Sequence, residues 1–141
     1  MPHPKVDGAP YDFSFSGLKT FVINTVHNAQ QKGMEIPVAD MGASVISAVV
    51  DCLETNTEKA ARELGYDTIV LAGGVSANSV LRARFEDMCK RNKWKLYKPA
   101  LSLCGDNAAM VGAQGYFEFL DGSRADLSLN AMATMPIDKS F

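Results

Sequence analysis

Residues 68–78 have the sequence TIVLAGGVSAN, and this stretch predicts the fold class more clearly than any other part of the chain. The run at 68–72 is apolar, continuous and rich in β-branched side chains, which is typical of a strand buried on both faces. Two glycines follow, and Ser76 or Asn78 provides an N-cap for a helix that should extend to about Arg91. A strand that passes through a glycine pair into a helix indicates an α/β layered domain.

The segments on either side of this unit predict further alternation of strands and helices. Before it we expect a strand at 11–16, a helix at 18–31 and a helix at 38–64 that bends or breaks at 55–57 and stops at Gly65. After it we expect a strand at 94–97, a helix at 108–120 and a turn at 121–122. Residues 1–141 are therefore predicted to form one α/β domain, with a tail at 126–141 that is loop or partly disordered.

Length and composition place the chain among soluble globular proteins. It has 141 residues, of which 47% are hydrophobic and 21% charged, and this is enough to bury a core. The formal net charge of −2 gives no overall attraction for nucleic acid, so an RNA substrate would need a local patch or another domain. The sequence shows neither a signal peptide nor an apolar run of membrane-spanning length, and we expect a cytoplasmic protein with no membrane contact.

The cysteines and histidines do not form a recognisable metal motif. Cys52, Cys89 and Cys104 are widely spaced, and none belongs to the close pair of a thiolate zinc site. Cys52 and Cys89 fall within helical apolar patterns and are expected to be buried, which fits a reducing cytosol. His3 and His27 lie at no ligand spacing from each other, which favours surface or structural roles.

The turn at 73–78, called here the glycine turn, is the first candidate site. Gly73 and Gly74 would let a ligand approach the backbone, and the following helix offers free N–H donors and a positive dipole end. The Asn78 side chain has both a donor and an acceptor, which suits a ribose, a base edge or a phosphate. An ordinary strand-to-helix turn, in which Asn78 or Ser76 only caps the helix, explains the same residues equally well.

The second candidate site is the sequence CGDN at 104–107, called here the acidic loop. Asp106 precedes a helix that opens with small residues, and a carboxylate there could hold a metal or a phosphate-bound ion. The local pattern favours a helix N-cap beside a turn glycine, because one carboxylate alone is not a metal site. Both candidates lie where open α/β sheets bind ligands, after the carboxyl ends of predicted strands.

A basic stretch lies between the two candidate sites. Its cations are Arg82, Arg84, Lys90, Arg91, Lys93, Lys95 and Lys98, with Trp94 and Tyr97 interleaved. Such a stretch can contact RNA phosphates, but a solvated helix face and strand edge is the more common explanation. The sequence has no HExxH, GxxxxGK[ST], GxGxxG or GxSxG motif.

Three blocks of the sequence together resemble one known family. They are YDFSFSGLKT at 11–20, LAGGVSAN at 71–78 and CGDNAAM at 104–110. Their order and spacing are similar to those of the tRNA threonylcarbamoyladenosine transferases, long labelled O-sialoglycoprotein endopeptidases, and the resemblance covers residues 2–136. It implies the second lobe of an actin-like ATPase (ASKHA, ribonuclease H-like) fold, with a mixed sheet and flanking helices. It also implies transfer of a threonylcarbamoyl group from an adenylate to adenosine 37 of tRNAs that read codons beginning with A.

The resemblance implies roles for individual residues. Asn78 matches the asparagine that contacts the adenine nucleotide, which is threonylcarbamoyl-adenylate or ATP, and Gly73 and Gly74 match the glycines that line its pocket. Asp106 matches a carboxylate ligand of a single iron or zinc ion. The acidic loop has CGDN where the family more often has CTDN, which keeps the aspartate and removes a hydroxyl near it. The block FSFSGLKT at 13–20 is expected near the cleft between the lobes, without a catalytic role.

The family's two metal-ligating histidines and its phosphate-gripping serine and glycines have no counterpart in this chain. We therefore expect a C-terminal fragment, inactive alone, of an enzyme whose partners are tRNA, a paralogous ATPase-fold protein and a P-loop ATPase. Such a fragment would expose an apolar lobe face, and a homodimer would cover it. The alternatives are a non-catalytic nucleotide-binding or protein-interaction module, the metal-dependent glycoprotease of the old label, and a sugar or acetate kinase of the same superfamily.

Overall fold

The protein is an α/β structure in which helices outnumber strands. The computed structural model describes residues 1, 6 and 8–134. Its elements in chain order are α1 (Ser16–Gln31), α2 (Val38–Leu64), β1 (Thr68–Val70), α3 (Ser79–Asn92), β2 (Lys95–Tyr97) and α4 (Ala108–Leu120), with 3-10 turns at Gly74–Ala77 and Leu101–Leu103. Within the described residues, no helix combines the length and apolarity needed to cross a bilayer. The alternation confirms the predicted α/β class.

The longest helix, α2, has the bounds that the sequence predicts. Pro37 is extended ahead of its first turn, with φ −62° and ψ 100°. At the other end Gly65 adopts a left-handed conformation, with φ 77° and ψ 25°, which glycine reaches without a steric penalty. The N–H of Tyr66 then donates to the carbonyl of Ala61 over 2.8 Å and closes the helix end. The helix is continuous through residues 55–57, so no break occurs there.

The main core lies where α3 packs against α2 and the sheet. Its buried residues are Val50, Leu81, Phe85, Met88 and Cys89, with Leu53, Ile69, Leu71, Trp94 and Leu96 packed around them. Full burial of one large apolar side chain stabilises a fold by about 1.5–3 kcal/mol. The apolar face of α3 therefore holds the start of that helix, and with it the glycine turn, against the rest of the core.

The sheet is covered on one face only, which corrects the prediction for residues 68–72. The two strands pair in parallel with Ile69 opposite Leu96, and both of these side chains belong to the core. Val70 is 67% exposed, and the strand ends at that residue. Complete burial would need a second layer, whereas among the described residues the sheet has two strands with α3 against their core side. The mixed sheet stays a prediction.

The strand predicted at 11–16 is wrong, because residues 11–15 have no regular structure and α1 begins at Ser16. Side chains hold this segment against α2 instead of a partner strand. The Tyr11 hydroxyl donates to Glu63 over 2.7 Å, and the Asn56 amide donates to the Asp12 carbonyl over 2.9 Å. The segment is therefore held at Tyr11 and Asp12, while the rings of Phe13 and Phe15 stack on each other.

The chain divides into two compact units, Met1–Cys104 and Gly105–Phe141. The first contains α1 to α3 and the sheet. The second contains α4, whose bounds confirm the helix predicted at 108–120, and none of whose residues is buried. The predicted turn at 121–122 is present, and residues 126–134 form no helix or strand, while 135–141 lie outside the described residues. The single domain predicted for 1–141 stays a prediction.

Candidate nucleotide site

The glycine turn follows β1 directly and enters α3 through a single 3-10 turn. Gly73 has φ 82° and ψ 170°, a conformation that is almost restricted to glycine. The N–H of Ser76 donates to the Gly73 carbonyl over 3.0 Å, and the N–H of Asn78 donates to the Val75 carbonyl over 3.0 Å. Apart from the adjacent residues of the chain, no atom of the described residues would lie within 4 Å of a Cβ added at Gly73 or Gly74. The backbone of both glycines is therefore open to a ligand.

Asn78 is the N-cap of α3, as one of the two explanations from the sequence requires. Its Oδ1 accepts from the N–H of Leu81 over 3.0 Å. Ser76 does not cap the helix; it is 2% exposed, and its hydroxyl has no hydrogen-bond partner among the described residues. Capping uses the oxygen of Asn78, while its Nδ2 amide has no partner in the described part of the chain. Capping and ligand binding by Asn78 are therefore compatible.

The acidic loop does not use Asp106 as a helix cap, so that explanation of the residue is wrong. Asn107 caps α4 instead: its Oδ1 accepts from the N–H of Met110 over 3.0 Å, and its Nδ2 donates to the Gly105 carbonyl over 3.0 Å. Asn107 is the N-cap because it directly precedes the first turn of α4. Asp106 is exposed, and its carboxylate remains available for a role other than capping.

The described residues do not form a metal site by themselves. Residues 1, 6 and 8–134 contain no group of three or more His, Cys, Asp or Glu side chains placed to hold an ion. Iron and zinc sites need about three protein ligands. Asp106 can therefore supply one ligand at most, and its role as a ligand stays a prediction. Asn78 and Asp106 belong to different compact units.

The basic stretch is largely occupied by contacts within the protein. Arg84 binds Asp51 and Glu54, and Arg91 binds Glu54 and Glu58, all on α2. The remaining pairs are Lys98 with Glu86, which is a direct contact, and Lys90 with Asp87 at 3.9 Å. These contacts favour the structural explanation of the stretch over an RNA-binding surface.

The cysteines and His27 lie in surroundings that do not form a metal site among the described residues. All three cysteines are free and buried, which confirms the prediction for Cys52 and Cys89. Burial raises the pKa of both of those thiols. His27 is exposed on α1, and its Nε2 lies 3.0 Å from the side-chain amide of Gln31, which confirms a surface role. His3 lies outside the described residues.

Arg82 contacts the glycine turn, although the sequence does not identify it as a site residue. Its Nε donates to the carbonyl of Ser76, and its Nη2 donates to the carbonyl of Pro99 and to Sγ of Cys104. In sequence, Arg82 is one of seven cations between positions 82 and 98. Its partners are two backbone carbonyls and a thiol, so no complementary acidic residue in the sequence points to it.

A glycine turn that follows a parallel strand and leads into a capped helix is typical of α/β proteins that bind ligands at strand ends. Within that class, the chain belongs to the tRNA N6-adenosine threonylcarbamoyltransferase family, whose model matches residues 1–113. This finding confirms the resemblance noted from the three sequence blocks.

Individual relatives with the same name match almost the whole chain. The tRNA N6-adenosine threonylcarbamoyltransferase of Clostridioides difficile (strain 630) is 44% identical over 139 residues, which are 99% of this chain and 41% of that protein. The enzyme of Bacillus thuringiensis (strain Al Hakam) is 46% identical over 98% of this chain and 40% of its own length. The tRNA N6-adenosine threonylcarbamoyltransferase of Geobacillus kaustophilus (strain HTA426) is 46% identical over 97% of this chain and 40% of its own length. The chain thus spans about two fifths of the length of these curated relatives.

Proposed function

We propose that this chain provides the adenylate-facing wall of a tRNA threonylcarbamoyltransferase, as the second lobe of an actin-like ATPase fold. The observation that carries the proposal is the glycine turn, in a chain of this family. Gly73 and Gly74 leave the backbone open, and the Asn78 amide at the N-terminus of α3 has no partner among the residues that the structure describes. Free N–H donors and a positive dipole end at such a position suit the phosphate of an adenylate.

In the proposed reaction, the amine nitrogen N6 of adenosine 37 in tRNA attacks the carbamoyl carbon of threonylcarbamoyl-adenylate. The new C–N bond forms, the bond from that carbon to the phosphate oxygen breaks, AMP leaves and the amine loses a proton. The residues of this chain bind and orient the adenylate: the glycine turn receives its phosphate, and Asn78 donates from Nδ2 to its ribose or base. Holding the donor in one position lowers the entropic part of the barrier.

Several parts of the proposal concern a longer protein than this chain. We infer that the chain is inactive alone, because Asp106 supplies one metal ligand and the described residues do not complete a site. Iron or zinc would need further ligands, so no step is assigned to the metal. The tRNA, the paralogous ATPase-fold partner and the P-loop ATPase are proposed partners of the full-length enzyme. The ion pairs of the basic stretch support a tRNA surface elsewhere.

Calorimetric titration of the chain with ATP tests the proposal. Gly74→Ala adds a methyl group where the protein leaves open space, so we expect normal folding and loss of ATP binding. Asn78→Ser keeps an oxygen that can cap α3 and removes the amide donor, and we expect an affinity about tenfold lower. Asn28→Ser, on the exposed side of α1, is the matched control and should bind as the unaltered chain does. Absence of ATP binding by the unaltered chain, or full binding by Gly74→Ala, would refute the assignment of this turn.

A second candidate function is a non-catalytic protein-interaction module, and the exposed apolar surface favours it. Val111, Tyr116, Phe117 and Leu120 on α4 are 59–66% exposed. Apolar patches of this kind are often protein interfaces. Capture of a full-length family partner by a chain that does not bind ATP would support this function over the first. The glycoprotease alternative gains no support from the described residues, which hold no cluster of metal ligands.

A further inference from the structure

Arg82 contacts two segments that are separate in sequence, and one half-buried guanidinium joins them. Its Nε donates to the carbonyl of Ser76, in the glycine turn, over 2.5 Å. Its Nη2 donates to the carbonyl of Pro99 over 2.8 Å and to Sγ of Cys104 over 3.1 Å. The residues from 99 to 104, called here the loop arm, end at Cys104, which is also the first residue of the acidic loop.

The loop arm is itself ordered, so a contact to it defines a position. Its 3-10 turn, Leu101–Leu103, is closed by the N–H of Leu103, which donates to the Ala100 carbonyl over 2.9 Å. The Cys104 side chain is 5% exposed and donates to the same Ala100 carbonyl over 3.5 Å. Arg82 thus contacts both ends of a short, folded segment.

The chemistry of these contacts requires arginine. A guanidinium carries its N–H donors in a rigid planar fork, so Nε and Nη2 can serve acceptors on different segments at once. The ammonium of lysine is a single point on a flexible stem and cannot span the same set. Because these partners are two carbonyls and a thiol, the contacts fix backbone geometry. Arg84, two residues along α3, binds carboxylates on α2 instead.

We propose that Arg82 is a positioning residue of the nucleotide site, which fixes the glycine turn to the loop arm. Its guanidinium sets the orientation of the Ser76 carbonyl, two residues before Asn78, and anchors the loop arm up to the first residue of the acidic loop. The consequence for nucleotide binding rests on the proposed function, whereas the coupling of the two segments does not. Loss of the guanidinium loosens both segments together and leaves the core of α2 and α3 intact.

Amide hydrogen exchange of Arg82→Lys, with Arg84→Lys as the control, tests the coupling. The reporters are the N–H of Ser76, which donates to Gly73, and the N–H of Cys104, which donates to Leu101. In Arg82→Lys we expect both amides to exchange about tenfold faster or more, since a charge-assisted hydrogen bond is lost at each segment. Amides in the middle of α2 should keep their rates. Arg84→Lys should leave both reporters unchanged and lower the thermal midpoint.

Maleimide labelling of Cys104 gives a second measure of the loop arm. Arg82→Lys should increase the labelling rate of Cys104, while Cys52 and Cys89 remain protected in the core. If Arg82→Lys loosens only the glycine turn, only the loop arm, or neither, the proposal is wrong. The proposal is also wrong if the glycine turn and the loop arm loosen to different extents while the free energy of unfolding falls strongly. Arg82 would then stabilise the whole fold and not these two segments.

Titration with ATP separates this inference from the proposed function. If the unaltered chain binds ATP, Arg82→Lys should bind it about tenfold more weakly and Arg84→Lys should bind it normally. Equal ATP affinity in both variants overturns the positioning role. If the unaltered chain does not bind ATP, the proposed function fails and the exchange data alone decide the coupling.

A measurement on the unaltered chain covers the case in which Arg82→Lys does not fold. The Nε–H proton of Arg82 donates to a carbonyl in a half-buried position, so its exchange with solvent should be slow in NMR spectra. The exposed Arg124 provides the comparison. A proton on Arg82 Nε that exchanges as fast as that of Arg124 would show that the contact is not maintained in solution, and the proposal would be wrong.

Discussion

Arg84 on α3 donates from Nε to Oε2 of Glu54 on α2 over 2.7 Å, and the Glu54 side chain is only 10% exposed. Arg91 contacts the other carboxylate oxygen of Glu54 at 3.3 Å, so two cations from α3 neutralise one nearly buried carboxylate. These ion pairs hold together the two helices that form the core, and they raise the pKa of both arginines.

Replacement of Glu54 should therefore destabilise the protein. We expect Glu54→Ala to lower the free energy of unfolding by about 1–3 kcal/mol, less than for a fully buried pair because both arginines are about half exposed. Asp87→Ala is the control, since its pair with Lys90 is exposed and 3.9 Å long, and it should change stability by less than about 0.5 kcal/mol. Urea denaturation measures both. Equal effects of the two variants would contradict a special role for Glu54.

The stability of the protein should also fall in acid because of Glu58. Hydrogen bonds from Asn92 and then from Arg62 and Arg91 lower the pKa of Glu58 from 4.5 to about 2. A carboxyl with a lower pKa in the folded state stabilises the fold above its unfolded pKa, and this contribution is lost as the pH falls from about 4.5 to about 2.

Unfolding free energies across that pH range should therefore decline less steeply in Glu58→Gln than in the unaltered chain. Glu35→Gln, at an exposed position, provides the control and should keep the original slope. A parallel decline in Glu58→Gln and the unaltered chain would show that other carboxylates cause the acid sensitivity.

The parts of the fold that depend on local chemistry could be predicted from the sequence. Gly65 ends α2 because a glycine after an apolar helical pattern favours a left-handed cap, and Asn78 begins α3 because its side chain accepts from the backbone three residues on. The segment at 11–15 was not predictable, because it is held by hydrogen bonds with the distant side chains of Asn56 and Glu63. Local patterns carry no information about such contacts.

In the candidate site, too, features set by local chemistry could be predicted and contacts between distant residues could not. The glycine turn could be predicted from an apolar β-branched run followed by two glycines, and Gly73 has the positive φ that glycine permits. The cap of α4 is Asn107 and not Asp106 as the sequence pattern favours, because both residue types are good caps and adjacent positions differ only in backbone geometry. Arg82 could not be identified, because carbonyl acceptors exist at every residue and leave no pattern in sequence.

The two glycines of the turn should differ in their effect on stability. Gly73 has φ 82°, whereas Gly74 has no positive φ, and neither position is sterically crowded. Gly73→Ala should therefore lower the free energy of unfolding by about 1–3 kcal/mol through backbone strain alone. Gly74→Ala should change it by less than about 0.5 kcal/mol. Thermal denaturation of the two variants measures the difference, and equal losses would show that the turn has another conformation in solution.

The exposed apolar surface of α4 should make the chain self-associate. Tyr116 and Leu120 lie four residues apart on one helix face and are 59% and 62% exposed. Burial of such side chains stabilises an interface by about 1.5–3 kcal/mol each, so the double variant Tyr116→Lys, Leu120→Lys should raise the dissociation constant of a homodimer at least about tenfold. Leu127→Lys, at an exposed leucine outside α4, is the matched control and should leave it unchanged. Sedimentation velocity over a range of concentrations measures both, and a chain that stays monomeric throughout would refute the homodimer.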